Sequence, residues 1–97
     1  MSRGLYDAIL LDGKDNVVCL LQDMAAGERL TVDGASPLAI LQDTSLGHKI
    51  AVSKIDQGAP VLKYGAVIGL AAQNIEPGEH VHLHNLVGLT QIGVEAK

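Results

Sequence analysis

Ala71-Ala72-Gln73-Asn74-Ile75-Glu76-Pro77-Gly78-Glu79-His80-Val81 has a form that recurs earlier in the chain. Ala51-Val52-Ser53-Lys54-Ile55-Asp56-Gln57-Gly58-Ala59-Pro60-Val61 repeats it, as does Leu20-Leu21-Gln22-Asp23-Met24-Ala25-Ala26-Gly27-Glu28-Arg29-Leu30. Each begins apolar, carries a polar or charged fourth residue and an apolar fifth, and then a glycine after two loose positions. An aliphatic follows three residues beyond the glycine. This order reads as strand, tight corner, strand. Met24, Ile55 and Ile75 plug the corner into a core, and Gly27, Gly58 and Gly78 take turn conformations that side chains resist. The copies are unevenly spaced, so the chain is no solenoid; one corner is used three times within one β domain.

Working outward, short runs with strand character cover 7–11, 16–21, 29–32, 38–41, 49–53, 66–72 and 80–86. Asp12-Gly13 and Asp33-Gly34 read as turns. No stretch sustains a helical period, although a single helical turn fits near Met24 or at Ser36-Pro37. The fold class expected is mostly β: one small domain over residues 1–97, with about 87–97 a last strand, tail or linker.

Composition narrows the function. Ninety-seven residues suit one domain, which buries about 60–65% of its unfolded surface. The core must be aliphatic, because Phe and Trp are absent and Tyr6 and Tyr64 are the only aromatic residues. So apolar a small chain invites cover by a partner subunit or by copies of itself, a homo-oligomer. A net charge of −4 and the shortage of stacking side chains exclude a nucleic-acid binder. Cys19 stands alone in an aliphatic run and reads as a buried thiol in a reducing compartment. No run is long enough to span a membrane and no secretory pattern is read at the N-terminus, so the cytoplasm is the default expectation.

The chemistry concentrates in Gly78-Glu79-His80-Val81-His82-Leu83-His84-Asn85, which holds three of the four histidines at alternate positions. On an extended strand His80, His82 and His84 would line one face, as metal ligands or proton carriers. The bland reading is a half-buried strand with a solvated face, and for a single histidine it would win. Three in register bring the two readings level. A row of that length would spread over about 13 Å, so one ion takes two of the imidazoles more easily than three.

Four motifs in order then resemble one family: the corner itself, Leu46-Gly47-His48-Lys49-Ile50-Ala51, Lys63-Tyr64-Gly65 with Ile68-Gly69, and the histidine stretch. The chain resembles the small SAF-type (β-clip) domain at the N-terminus of altronate and galactarate dehydratases. That domain also exists as a free-standing small subunit, including that of sulfolactate sulfo-lyase. The resemblance implies a subunit of a lyase that removes water, or sulfite, from a hydroxylated carboxylic acid such as a sugar acid. It also implies a large dehydratase-type catalytic subunit as partner, without which this chain turns over nothing.

On that reading His80, His82 and His84 are the catalytic candidates, and His80 and His82 would hold a divalent metal, iron by family expectation. His48, Lys49, Lys63, Tyr64 and Asn85 would contact substrate, with Asn85 and Glu79 also able to orient the histidines. The bland alternatives are solvated charge for Lys49 and Lys63 and a core plug for Tyr64. Two readings from other classes compete with this one. A cupin needs an acidic ligand soon after its His-x-His and another histidine later, and neither is present. A non-catalytic SAF binding module has little use for three histidines on one face.

Overall fold

The computed structural model describes residues 6–10, 12–34, 36–82 and 84–88, and among these it contains strands and turns with no helix. The strands are β1 (Ala8–Ile9), β2 (Val17–Cys19), β3 (Arg29–Leu30), β4 (Val32–Asp33), β5 (Leu38–Ala39), β6 (Lys49–Ala51), β7 (Pro60–Lys63), β8 (Ala66–Ala71), β9 (His80–Val81) and β10 (Leu86–Gly88). The mostly-β expectation holds, although the strands are shorter than the patterning suggested. Arg29 to Val32 divides into two strands, and Pro60–Lys63 is a strand that the pattern did not reveal. Neither expected single turn of helix forms. The expected tail begins within β10, and residues 89–97 lie outside the described residues.

The central element is an antiparallel sheet in the order β2-β6-β9. Val17 faces Ala51 and Val18 faces Ile50 across β2 and β6, while Lys49 faces Val81 and Ile50 faces His80 across β6 and β9. Because side chains alternate along a strand, adjacent residues go to opposite faces. Val18 and Ile50 enter one core with Leu20, Met24, Leu30 and Ile40. Val17, Ala51 and Val81 enter a second with Ile55, Val61, Ala71 and Ile75. One thin sheet therefore separates two aliphatic cores.

The two cores are built alike, at an offset of 31 residues. Gly27 N donates to Ile40 O as Gly58 N donates to Ala71 O, and Gly47 N donates to Leu20 O as Gly78 N donates to Ala51 O. Met24 and Thr44 exchange backbone hydrogen bonds, as do Ile55 and Ile75. The corner is thus used four times, in two facing pairs, where the sequence showed three. The unnoticed copy is 40–50. Its plug is a buried Thr44, whose hydroxyl is satisfied by Gln42 O at 2.9 Å, so the apolar signal was missing there.

The polar fourth position also acquires a purpose. Asp23 Oδ1 accepts Leu46 N, Asp43 Oδ1 accepts Ala26 N, and Asn74 Oδ1 accepts Gln57 N, each at 2.8 Å. Three of the four corners are thus pinned by a side chain of the corner facing them. The remaining place holds Lys54, which has no acceptor, and the residue it would serve is Pro77, which has no N–H.

Gly58 sits at φ +85 with open space around it, whereas at Gly78 (φ +88) an added Cβ would strike the Ala39 carbonyl oxygen. Gly58→Val should cost about 1–2 kcal/mol or more from the left-handed backbone alone. Gly78→Ala should cost more than that despite its smaller side chain. Urea unfolding of both variants checks the order, and an unchanged midpoint for Gly58→Val refutes the corner account.

Candidate functional site

Register brings the histidines together from two strands. Lys49 pairs with Val81 and Ile50 with His80, so one further step along β6 and β9 sets His48 opposite His82. His48 Nδ1 and His80 Nε2 are 2.9 Å apart and share a proton, one ring donating to the other. The rings of His80 and His82 stack with centroids 5.4 Å apart, and His48 lies 5.3 Å from His82. One ring nitrogen from each of His48, His80 and His82 falls within 4.8 Å of the other two. His48 and His80 are half-buried and His82 is exposed.

The extended row predicted for His80, His82 and His84 is not what forms. β9 ends at Val81, and the chain then turns, with Asn85 N donating to His82 O at 3.0 Å. Turning brings the His84 ring to 5.7 Å from that of His80, where a strand would have held it far away. The turn is built on Asn85, which is fully buried. Its Oδ1 accepts His82 N at 2.9 Å, and its Nδ2 donates to His80 O at 2.8 Å and to Glu79 Oε2 at 3.2 Å. An amide so engaged cannot reach a substrate; Asn85 positions His80 and His82, and Glu79 supports Asn85. Gln42 adds a further hold on His80, its Oε1 accepting the backbone N–H at 2.8 Å.

Burial lowers the His80 pKa from its ordinary 6.5, and the neighbouring His48, His82, His84 and Lys49 lower it further. Lys49 acts on His80 by charge alone, since it pairs with Val81 and alternation turns its side chain to the other face of β6. Lys63 and Tyr64 lie at the β7–β8 hairpin and line a small cavity with Ile9, Asp15, Val18, Cys19 and Leu21, and no histidine borders it. Tyr64 is 60% exposed rather than a core plug. Its φ of 55 suits a tight hairpin, and the buried Asp15 carboxylate holds it there by accepting Tyr64 N and Gly65 N at 2.9 and 2.8 Å. Cys19 is half-buried rather than enclosed.

Comparison with known proteins fits this geometry into a family. The profile of the Altronate/galactarate dehydratase SAF domain matches residues 6–89. This chain belongs to that family. Altronate dehydratase of Bacillus subtilis is 43% identical over 77 residues, which are 79% of this chain and 15% of that protein. Altronate dehydratase of Escherichia coli is also 43% identical over 77 residues, with the same coverage. The (2R)-sulfolactate sulfo-lyase subunit alpha of Chromohalobacter salexigens is 33% identical over 86 residues, covering 82% of this chain and 92% of that one. The chain thus spans a small fraction of the dehydratases and nearly the whole of the sulfo-lyase subunit. Among the described residues, no helix is long and apolar enough to cross a membrane.

In this SAF domain, His48 is the residue whose place sequence reasoning undervalued. In the sequence it stands beside Gly47 as a substrate-contact candidate, and the 32 residues between it and His80 hide that the two rings meet. Gln42 carries no signal of its own in the sequence, although its side chain holds the His80 N–H. The available signal was the corner at 40–50, which aligns with that at 71–81 and so predicts that both lead into neighbouring strands.

Two expectations follow for the metal-free domain. Asn85→Ala strands the His82 N–H and the His80 carbonyl, and should cost about 1–3 kcal/mol in urea unfolding. The second concerns pH. Folded His80 holds its proton less readily than the unfolded chain does, so neutral His80 contributes stability above pH 6.5. That contribution is lost as pH falls through the lower folded value. NMR titration should place the His80 midpoint below 6.5. A midpoint at or above that value contradicts the packing described.

Proposed function

We propose that this domain is the small, imidazole-bearing part of a lyase that eliminates water from a sugar acid, in concert with a larger catalytic body. The observation that carries the reading is the converging histidine face, set in a domain 43% identical to a segment that makes up 15% of altronate dehydratases. A domain that small within a long enzyme supports a contribution of side chains to a site completed elsewhere.

The chemistry asks for what the face offers. Elimination beside a carboxylate must remove a weakly acidic α-proton and protonate the departing hydroxide. His80, with its lowered pKa, is neutral near pH 7, the form in which an imidazole accepts a proton or a metal ion. His82, exposed and held by Asn85 through its backbone, suits contact with the substrate. His84 adds a further imidazole at the rim, able to exchange protons with water.

A second reading is favoured by one observation: the chain covers 92% of the sulfo-lyase alpha subunit, against 15% of the dehydratases. On that reading the leaving group is sulfite from sulfolactate, and the partner is a separate subunit. Both readings use the same face and the same α-proton, and they differ in what the partner recognises.

The experiment is capture of partners on the tagged chain from its native extract, followed by assay of the complex with altronate, galactarate and sulfolactate. Recovery of a dehydratase-type large subunit with activity on one of these supports the proposal and selects between the readings. A chain that returns alone or only with itself favours a non-catalytic binding module. In the active complex, the double variant His80→Ala/His82→Ala should lose at least about 100-fold in rate, with the melting temperature of the domain little changed. Full activity in that variant overturns the site assignment.

A further inference from the structure

We infer that His48, His80 and His82 together bind one divalent transition-metal ion, with His84 outside the ligand set. The ligands cross from β6 to β9 instead of running along one strand, which the sequence pattern would not suggest. One nitrogen from each of the three lies within 4.8 Å of the others. A tetrahedral ion with metal–nitrogen bonds of about 2.0–2.1 Å holds its ligands about 3.3 Å apart. The His48–His80 pair, at 2.9 Å, has only to exchange its shared proton for the ion and open by a few tenths of an ångström. His82 has to close in, and as the exposed member of the group it has room to do so.

The donor set selects the ion. Three imidazoles without a thiolate or a carboxylate suit zinc, cobalt(II) or iron(II) and do not suit magnesium or calcium. The backbone at His80 and His82 is already fixed by Gln42 and Asn85, so little ordering of the main chain remains to be done on binding.

Three protein ligands leave a fourth position, open here toward solvent on the side of His82. The site therefore suits an ion that carries hydroxide or a carboxylate oxygen there. Such an ion would stabilise the negative charge that develops on a hydroxy acid as its α-proton leaves. The inference uses the histidine face of the proposed lyase but stands on donor geometry alone, and its test requires neither partner nor substrate.

The test is titration of the metal-free 97-residue chain with cobalt(II), followed by visible absorption, together with metal analysis after zinc loading and gel filtration. One ion per chain is expected, with the intense visible bands of four-coordinate cobalt. Loss of groups that merely support a ligand costs 10–100-fold in affinity, so His48→Ala and His82→Ala should each cost about 100-fold or more. His84→Ala should leave affinity and spectrum unchanged. Thermal melting establishes that each variant is folded. Should His48→Ala fail to fold, the exposed His82 carries the same comparison. Absence of saturable binding, or equal losses in the His84 and His82 variants, overturns the site. That result, alongside recovery of an active complex, would remove the metal and leave the lyase reading intact.

Discussion

The β2-β6-β9 ladder is the constraint on which the rest of the molecule depends. Its strands are only two or three residues long, so it has little hydrogen bonding of its own to spare. What fixes it is that both of its faces are buried. Val18 and Ile50 are committed to one core, and Val17 and Ala51 to the other. A slip of one residue would carry every one of these side chains to the opposite core and drive Lys49 and His80 inward. The register is over-determined from both sides, and the register places the histidines.

That dependence explains how an open surface can hold an ordered imidazole cluster. The side chains of His48, His80 and His82 contribute little to either core. Their positions follow from the strands beneath them and from Asn85 and Gln42, which satisfy the main chain around them. A buried asparagine making three hydrogen bonds is expensive to desolvate, and is stable because each polar atom finds a partner. The stability of the domain and the geometry of the face are therefore coupled through the ladder and the turn that follows it.

Much of this was legible in the sequence. The corner motif declared itself through Met24, Ile55 and Ile75 and their glycines, and with it the β class. The histidine stretch marked where His80 and His82 would gather. What was hidden depended on pairing between distant segments. Thr44 in place of an apolar plug concealed the fourth corner, and with it the 31-residue repetition that relates the two halves. His48 and His80 meet through a strand pairing that no local pattern specifies. Extending alternation from His80 to His84 failed because Asn85, polar yet buried, offered the backbone a turn in competition with the strand. Tyr64 misled for a related reason: a large aromatic in a chain short of them invites a place in the core. The hairpin needed a residue at positive φ, and Asp15 could hold it there.

The two halves also explain why the sheet stops where it does. By the 31-residue offset, β2, β6 and β9 are successive uses of one strand, since Leu20 N donates to His48 O as Ala51 N donates to Glu79 O. A repeating ladder has no intrinsic end, and its last strand presents unpaired groups that invite another chain. Here the outward N–H of His80 is taken by the Gln42 side chain and its carbonyl by Asn85 Nδ2. Asn85 Oδ1 takes the N–H of His82 as well. The edge is closed by side chains rather than by a fourth strand. Closure by short side chains leaves the surface above the edge uncovered, and that is where the imidazoles stand. A fourth strand would have satisfied the same backbone groups but crowded the histidine face, so the way this sheet ends is also what keeps that face open.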